Sequence, residues 1–426
     1  MTGIAVRQVG IDVDSLVRED RVHRLIYVDP NIFELEMERI FSRTWVFIGH
    51  ESEIRHPGDF KTTFMGRIPV ILVRDREHAI HVLINRCCHR GAVVCREETG
   101  NAEAFRCAYH GWTYDERGDL KAVPGRPFYP ADFDLREFGL ARAPRVASYR
   151  GFVFASLSAT GDSLSDHLGL ARDYLDLAIE ESPDSEIDVH SGVQRYAFPA
   201  NWKFQVENWT DHSHAQVVHE SAFAIRQRRG QVYPSERMGP ERAQETNGAG
   251  ASWHGVVHLG RGMNVERTRS GPVSADPGYL ERLAARCGRE RAQDLLAGDI
   301  QLVIFPNFFI QPRRHHFRTL RPIAVDQTEV YAYPYTLKGA PDEVNHQLVG
   351  DVAWWASAAG FGQPDDLECF ARCQEGLQAP YPEWVLFMCG TDREELLPNG
   401  ELRGVGENEL TMRGIHREWK RLMTAE

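Results

Sequence analysis

The chain has 426 residues, of which 42% are apolar and 26% charged, which is the composition of an ordinary folded protein with room for two domains. Its formal net charge of -12 argues against nucleic acid or an anionic membrane surface as the main partner, because both favour a basic protein. No run of about 18 apolar residues occurs and no N-terminal leader pattern is present, so we expect no membrane span and a cytoplasmic location. There the eight cysteines are expected to be reduced, metal-bound or packed.

In chain order, residues 29–43 predict a helix with Asp29 as N-cap and Pro30 as its first residue. From 45 to 158, short β-branched segments separated by Gly, Pro and Asp predict a small antiparallel β domain. Helical patterns return after Asp162, and a mixed region follows from His190. Within it, residues 313–337 predict two long strands of a hairpin. The C-terminus predicts a helix whose apolar residues have helical spacing: Met412, Ile415, Trp419 and Leu422.

These elements predict an α+β fold in which an all-β domain is inserted near the start of a larger domain. We place the N-terminal helical part of the larger domain at 1–44, the β domain at 45–160 and the rest of the larger domain at 161–426.

Residues 87–110 contain two cysteine–histidine pairs, Cys87-x-His89 and Cys107-x2-His110. Four such ligands could hold a tetrahedral zinc ion, but structural zinc sites usually take paired ligands of one type from each loop. A Rieske [2Fe-2S] centre needs one cysteine and one histidine from each loop, because two thiolates bind one iron and two imidazoles bind the other. We therefore predict that these four residues bind a Rieske cluster, with zinc or simple packing as the alternatives.

The remaining cysteines have no such spacing. We interpret them as small buried apolar residues: Cys88, Cys95, Cys287, Cys369, Cys373 and Cys389.

The stretch ENWTDHSHAQVVH, residues 207–219, combines histidines, carboxylates and an asparagine. Mononuclear non-haem iron takes two histidines and one carboxylate on one face, with open positions for dioxygen and substrate. His214 and His219 would lie about 140° apart on an ideal helix, so they share a metal only if the helix is distorted or both rings reach toward an ion at its side. His212 is the less favoured ligand. The alternative is a set of solvated histidines, or histidines that do not bind the metal.

The carboxylate ligand must come from elsewhere in the chain. The sequence GFGQPDDLECF, residues 360–370, predicts a helix start. Both aspartates could simply cap this helix and complement its dipole, and that role suits Asp365. Asp366, one position further in, is then free to turn toward the metal.

Taken together, these motifs resemble the large (α) subunit of Rieske non-haem iron aromatic-ring-hydroxylating oxygenases, from about Asn31 to the C-terminus. The specific parts are Cys-x-His…Cys-x2-His and Glu-Asn-x2-Asp-x2-His-x4-His. The stretch Pro-Asp-Asp-Leu-Glu at 364–368 is similar to that of benzoate and toluate dioxygenase α subunits, as are FPNFFIQ and RPIAVDQTEV within 305–330. The chain departs from the family at His212 and Ser213, where a small residue and an aromatic are expected, and at Ala108, where proline is common.

The resemblance implies a helix-grip type of catalytic domain, an antiparallel sheet covered by helices. It implies that His214, His219 and Asp366 hold a mononuclear Fe(II). It also implies that Asp211 links this iron to the Rieske ligand His110 of a neighbouring subunit. The implied assembly is a homotrimer of α subunits, possibly an α3β3 complex with a small β subunit.

The implied activity is that of a terminal oxygenase component. Electrons would pass from NADH through a flavin and iron–sulfur reductase, with or without a ferredoxin, to the cluster and then to the iron. Both atoms of dioxygen would enter a small aromatic ring as a cis-dihydrodiol. A Rieske monooxygenase that hydroxylates or demethylates an aromatic or small amine substrate would share every ligand. A non-catalytic electron-transfer or metal-storage protein is the third alternative.

The substrate pocket should be apolar with a few polar anchors. Asn208, Val218 and Phe308 are the predicted substrate contacts, with Val217, Phe223 and Phe361 as further candidates. An aromatic carboxylate would need a cation, ideally an arginine that can bind it through two hydrogen bonds. Residues 312–322 offer four arginines, and alternation on a strand would put Arg314 and Arg318 on one face. Arg318 is the predicted anchor, with solvated or subunit-contact arginines as the alternative.

Overall fold

The computed structural model describes residues 12–211, 213–229, 243–247, 254–259, 273, 276, 278–296, 299–405 and 408–425. His212 therefore lies outside the described residues. None of the described helices is both long and apolar enough to cross a membrane.

The N-terminal segment forms part of the larger domain's core. After a 3-10 turn at Val13–Leu16 come β1 (Arg21–His23), α1 (Leu25–Val28), α2 (Pro30–Glu36) and a π-helical turn at Met37–Phe41. The Asp29 side chain accepts hydrogen bonds from the amides of Asn31 and Ile32, as predicted for an N-cap. Strand β1 pairs with β21 (Trp384–Leu386), which ties this segment to the C-terminal part of the chain.

Between residues 46 and 156 the described chain forms three small antiparallel sheets, as the short β-branched segments predict. The sheet orders are β5-β4-β3-β6, β7-β8-β9 and β10-β11-β2. The strands are β2 (Val46–His50), β3 (Asp59–Met65), β4 (Ile68–Arg74), β5 (Ile80–Ile84), β6 (Thr99–Asn101), β7 (Ala104–Arg106), β8 (Thr113–Asp115), β9 (Leu120–Ala122), β10 (Arg145–Tyr149) and β11 (Phe152–Ser156). Three 3-10 turns lie at Glu51–Glu53, Arg126–Phe128 and Leu135–Glu137.

The larger domain is built on one antiparallel sheet, in which the described residues supply nine strands in the order β13-β19-β18-β17-β16-β15-β14-β23-β22. Strands β12 (Ile187–Asp188) and β20 (Thr336–Leu337) form a separate pair. The sheet strands are β13 (Gln194–Phe198), β14 (Ala243–Asn247), β15 (His254–Leu259), β16 (Asp299–Ile304), β17 (Phe308–Gln311), β18 (His316–Ala324), β19 (Gln327–Pro334), β22 (Glu394–Leu396) and β23 (Leu402–Val405).

Helices cover both faces of this sheet, which agrees with the predicted α+β class. They are α3 (Leu164–Leu168), α4 (Ala171–Glu180), α5 (Trp202–Thr210), α6 (Ala215–Val218), α7 (Glu220–Arg228), α8 (Tyr279–Cys287), α9 (Arg289–Leu295), α10 (Asp342–Ala356), α11 (Gln363–Gly376) and α12 (Leu410–Thr424). The C-terminal helix lies where the spacing predicts it, with Met412, Ile415 and Trp419 buried.

Alternation along the strands divides the core into two layers. Val303 and Phe309 pack on the side of α5, α12 and the N-terminal helices. Leu302 and Phe308 pack on the opposite side, with α4, α8 and α10. Both faces of these strands are therefore apolar, and Arg318 lies on the α5 side, opposite Phe309 on the neighbouring strand.

The hairpin of β18 and β19 confirms the predicted one but begins later, at His316. Arg313 and Arg314 lie in the 3-10 turn Pro312–Arg314, so the premise that Arg314 and Arg318 share a strand face is wrong. The prediction for the other cysteines also fails in part. Cys95 is buried, but Cys88, Cys373 and Cys389 are exposed, and Cys287 and Cys369 are half-buried. The domain boundaries at 44/45 and 160/161 stay predictions.

Candidate active site

The two cysteine–histidine loops have the same backbone conformation. In the first, the Gly91 amide donates to the Cys87 carbonyl (2.9 Å) and the Cys87 amide to the Ala92 carbonyl. In the second, Gly111 donates to Cys107 (2.9 Å), and the Cys107 amide to the Trp112 carbonyl. Both glycines have positive φ, +76° and +69°, a conformation that side-chain-bearing residues rarely adopt. Each cysteine–histidine pair therefore lies in a tight turn that is stabilised by its own backbone hydrogen bonds.

The two loops bring their histidine rings close together. The rings of His89 and His110 are 4.4 Å apart, and Trp112 stacks parallel to His89 at 5.0 Å. Tyr114 Oη accepts from the Cys88 amide and lies 3.2 Å from Cys87 Sγ, so its hydroxyl can donate to that sulfur. Trp112 therefore holds the His89 ring in place, and Tyr114 holds the Cys87 thiol.

These donors fit a Rieske cluster. Cys87 and Cys107 are both buried, so their thiols are shielded from solvent. His89 Nδ1 is buried and lacks a hydrogen-bond partner among the described residues. A buried imidazole nitrogen without a partner is costly unless something else binds it, and an iron atom would do so.

A second group of ligand-type side chains lies on the α5 face of the large sheet. One ligand atom each from His214, His219 and Asp366 lie within 4.8 Å of one another. The Nε2 atoms of the two histidines are 3.4 and 3.3 Å from the same oxygen, Asp366 Oδ1. Two imidazoles and one carboxylate that converge in this way fit a mononuclear iron with open positions.

The chain brings the two histidines together by interrupting the helix. Helix α5 ends at Thr210, and His214 and His219 flank the single-turn helix α6. His219 has non-helical backbone angles and lies between α6 and α7. This is the distortion that the five-residue spacing requires. Asp366 comes from the first turn of α11, where its side chain is buried.

Hydrogen bonds position the triad. Asn208 Nδ2 lies 3.2 Å from both His214 Nε2 and Asp366 Oδ1. Asp211 Oδ1 accepts a hydrogen bond from the His214 amide, and its Oδ2 lies at ion-pair distance, 3.4 Å, from His214 Nδ1. Burial would lower the pKa of His214, but Asp211 and Asp366 outweigh it and raise that pKa to about 10. Burial would likewise raise the pKa of Asp366, yet the two histidines hold it well below its usual range. The carboxylates therefore favour a positive charge at this position, which a bound metal ion would also supply.

Two of the predicted residues have other roles in the structure. Asp365 is not the N-cap of α11, because the helix begins at Gln363 and Gly362 occupies the cap position. Phe308 is a core residue rather than a substrate contact, since it packs against Phe47 (4.6 Å) and Phe152 (5.0 Å) on the face away from α5. Val218 is half-buried on α6 between the two histidines, and its predicted contact with substrate stays a prediction.

The remaining pocket candidates differ in burial. Phe223 stacks on Trp355, which in turn packs edge-on against His219 at 5.1 Å. Val217 is largely exposed, and Phe361 is partly exposed where it stacks on Trp354.

Arg318 is buried on the same sheet face as Phe309. Its guanidinium donates to Tyr196 Oη (3.2 Å), to His316 Nε2 (3.3 Å) and to Gln363 Oε1. It also lies 4.8 Å from the ring centroid of Trp209. Gln363 stands three residues before Asp366 on α11, so Arg318 reaches to within one helical turn of the triad.

The other three arginines are placed elsewhere. Arg321 lies 3.4 Å from the carboxylate of Glu329, Arg313 donates to the Leu296 carbonyl, and Arg314 stacks on Trp355 at 4.0 Å. Three residues that contact Arg318 were not among those predicted from the sequence: Gln363, Tyr196 and Trp209. For Gln363 a signal existed, because its spacing from Asp366 puts both on one side of a helix.

Two family models match this chain. The one described as Rieske [2Fe-2S] domain matches residues 44–138, and the one described as ring hydroxylating alpha subunit (catalytic domain) matches residues 180–425. The chain belongs to the ring-hydroxylating dioxygenase α-subunit family. It is therefore a Rieske-type oxidoreductase whose cofactors are a [2Fe-2S] cluster and a mononuclear iron.

Individual relatives agree with this assignment. The chain is 34% identical over 381 residues to the toluate 1,2-dioxygenase α subunit of Pseudomonas putida, covering 86% of this chain and 83% of that protein. It is 34% identical over 421 residues to the anthranilate 1,2-dioxygenase large subunit of Acinetobacter baylyi, covering 95% and 89%. A structure of naphthalene 1,2-dioxygenase with indole bound in the active site superposes with a TM-score of 0.86 at 26% identity, covering 97% and 95%.

Proposed function

We propose that this dioxygenase hydroxylates an aromatic carboxylate, such as a substituted benzoate, to a cis-dihydrodiol. The electrons would come from NADH through a flavin and iron–sulfur reductase, directly or through a ferredoxin. The observation that carries the choice of substrate is the buried charge of Arg318, which lies one helical turn from Asp366 and has no counter-ion among the described residues.

Among the described residues, no carboxylate lies within ion-pair distance of Arg318. Its hydrogen-bond partners are neutral: a phenol, an amide oxygen and His316, whose pKa burial and the nearby Arg318 hold well below the usual range. Burying a guanidinium without a counter-ion is unfavourable. A substrate carboxylate would supply the missing charge.

Neighbouring donors support the same interpretation. Gln363 Nε2 and Trp209 Nε1 are both buried and have no hydrogen-bond acceptor among the described residues. Both residues contact Arg318, Gln363 by a hydrogen bond and Trp209 through its ring. A carboxylate has about four lone-pair sites, enough to accept from Arg318 and from these two donors together.

The names of the relatives favour a carboxylated ring as well. The 34% identical relatives are named for toluate, 2-halobenzoate and anthranilate. Relatives named for benzene and biphenyl are 30% and 32% identical. The difference is small, so the support from Arg318 weighs more.

The residues at the triad would have distinct roles. His214, His219 and Asp366 would hold the iron, which when bound supplies the site for dioxygen reduction beside the ring. Asn208 would fix the orientation of His214 and Asp366 through its two contacts. Asp211 is partly exposed, and its Oδ2 lies 3.4 Å from His214 Nδ1. It would accept hydrogen bonds from His214 and from His110 of a neighbouring subunit, coupling cluster to iron. That role requires a trimer of α subunits, with or without β subunits, which sedimentation of the purified protein would test.

Turnover under labelled dioxygen tests the proposal. The chain would be purified with iron, combined with a surrogate reductase and NADH, and offered benzoates, hydroxybenzoates, aminobenzoates and neutral aromatics. We expect a carboxylated product that carries two labelled oxygen atoms. Singly labelled phenols or lost methyl groups would instead assign a monooxygenase. NADH consumption without product from any ring would exclude the aromatic carboxylates as substrates.

A further inference from the structure

Two carboxylates lie behind the proposed iron ligands, on the side away from the metal position. The Nε2 atoms of His214 and His219 face Asp366, so their Nδ1 atoms point outward. His214 Nδ1 lies 3.4 Å from Asp211 Oδ2. His219 Nδ1 lies 3.7 Å from Asp365 Oδ2. The arrangement is the same for both histidines, although nothing in the family resemblance gives Asp365 a role.

The contact between His219 and Asp365 is unusual because both atoms lack other partners. His219 Nδ1 and Asp365 Oδ2 are each buried and have no hydrogen-bond partner among the described residues. A donor and an acceptor left unpaired in the interior are both unfavourable. At 3.7 Å they are slightly too far apart for a hydrogen bond, and a small rotation of either side chain would form one.

We propose that Asp365 is a positioning residue for the iron site, which accepts a hydrogen bond from the Nδ1–H of His219. This bond fixes the tautomer in which the Nε2 lone pair of His219 faces the metal, and the negative charge makes that nitrogen a stronger ligand. Adjacent residues of α11 then have complementary tasks, since Asp366 binds the iron while Asp365 orients the histidine beside it. The inference rests on the proposed iron ligands and not on the identity of the substrate.

A different result is expected if Asp365 only stabilises its own helix. A carboxylate in the first turn of a helix complements the helix dipole and stabilises the fold. That role would affect unfolding but not the affinity for iron. Glu368 offers a matched control, because it is exposed on the same helix and pairs only with Arg372 (2.8 Å) among the described residues.

The experiment compares Asp365→Ala, Asp365→Asn and Glu368→Gln in the full chain carrying its Rieske cluster. Cluster absorbance per chain verifies that each variant is folded. Fe(II) affinity is measured by competition with a chelator, and the geometry of the iron by electron paramagnetic resonance of its nitric oxide complex. We expect Asp365→Ala to weaken Fe(II) binding about 10- to 100-fold and to alter the spectrum. Asp365→Asn should lie between, because its amide oxygen still accepts from Nδ1–H. Glu368→Gln should match the parent chain.

Three results would overturn the inference. Asp365→Ala could bind Fe(II) as tightly as the parent with the same spectrum, or Glu368→Gln could weaken binding equally, which would make the effect one of helix charge. If Asp365→Ala does not fold, the test rests on Asp365→Asn. Parent-like Fe(II) affinity and spectrum in that variant would overturn the inference, because the carboxylate charge would then contribute nothing to iron binding. A parent chain that binds Fe(II) but turns over no aromatic carboxylate would refute the proposed substrate and leave this inference intact.

Discussion

The cluster loops and the iron triad place their side chains by different means. The four cluster residues lie within 87–110, and each loop is held by its own backbone hydrogen bonds and a glycine with positive φ. The triad combines residues from 214–219 with Asp366, and Asn208, which bridges them, is 158 positions from Asp366. The first site depends on local turns, while the second depends on the packing of α11 against α5.

This difference determines how each site responds to sequence changes elsewhere in the chain. A site made of local turns forms with its own small domain and tolerates alterations elsewhere. A site made by packing responds to any shift of the helices that carry it, and its neighbours can vary to suit the substrate. Substitutions in one site should therefore leave the other site intact.

Asp366→Ala should abolish turnover while sparing the cluster. It removes the carboxylate shared by both histidines, so we expect iron content to fall and turnover to drop by more than about 100-fold, since even residues behind a ligand contribute about 10- to 100-fold. The visible absorption of the cluster should be unchanged. Cys107→Ser is the complementary variant. It should remove the cluster and leave Fe(II) binding at the triad unchanged. Loss of both cofactors in either variant would contradict the separation of the two sites.

Arg318→Met should selectively lower the activity toward carboxylated rings. Removing the charged partner of a buried carboxylate costs about 2–5 kcal/mol, so we expect kcat/KM for benzoates to fall about 30-fold or more. Neutral rings should lose far less, and iron and cluster contents should be retained. Arg321→Met is the control, since Arg321 pairs with Glu329 on the same hairpin. An equal loss for neutral and carboxylated rings would show that Arg318 has only a structural role.

The same difference explains what the sequence could predict. The cluster motif was evident because its ligands and glycines are close together in the chain. Asp366 could be proposed from a helix start, but the helix begins at Gln363, so Asp365 is not its cap. Phe308 was misplaced because β17 is apolar on both faces, and no alternation shows which side chain faces α5. Tyr196 and Trp209 meet Arg318 only through tertiary packing, which the sequence does not reveal, whereas the spacing of Gln363 from Asp366 could have pointed to Gln363.

A smaller effect is expected at the cluster itself. Tyr114→Phe removes the hydroxyl 3.2 Å from Cys87 Sγ. Because a hydrogen bond to the thiolate stabilises the reduced cluster, its loss should lower the reduction potential by tens of millivolts, where about 59 mV corresponds to a tenfold change for one electron. Redox titration followed by visible circular dichroism measures this shift, and Fe(II) affinity at the triad should not change. An unchanged potential would mean that Tyr114 serves only to hold the Cys88 amide.

The smallest effect concerns stability in acid. It involves two buried histidines, His50 on β2 and His167 on α3. Burial lowers the pKa of His50 to about 4 and that of His167 to about 3. The folded chain keeps both neutral, whereas the unfolded chain binds protons below about pH 6.5. The stability that they contribute is therefore complete above about pH 6.5 and is lost as the pH falls toward 4 for His50 and 3 for His167, by up to about 1.4 kcal/mol per pH unit for each.

His167→Gln should make the melting temperature less dependent on pH, because glutamine does not titrate. Between pH 6.5 and 5 we expect the variant to lose about 1–3 °C less than the parent chain in a thermal melt followed by circular dichroism. His346→Gln on α10 is the control, since His346 is exposed and its replacement should not alter the pH dependence. His50→Gln, on strand β2, should reduce the pH dependence of the melting temperature to a similar extent. If neither replacement changed the pH dependence, carboxylates rather than these two buried histidines would account for the acid sensitivity.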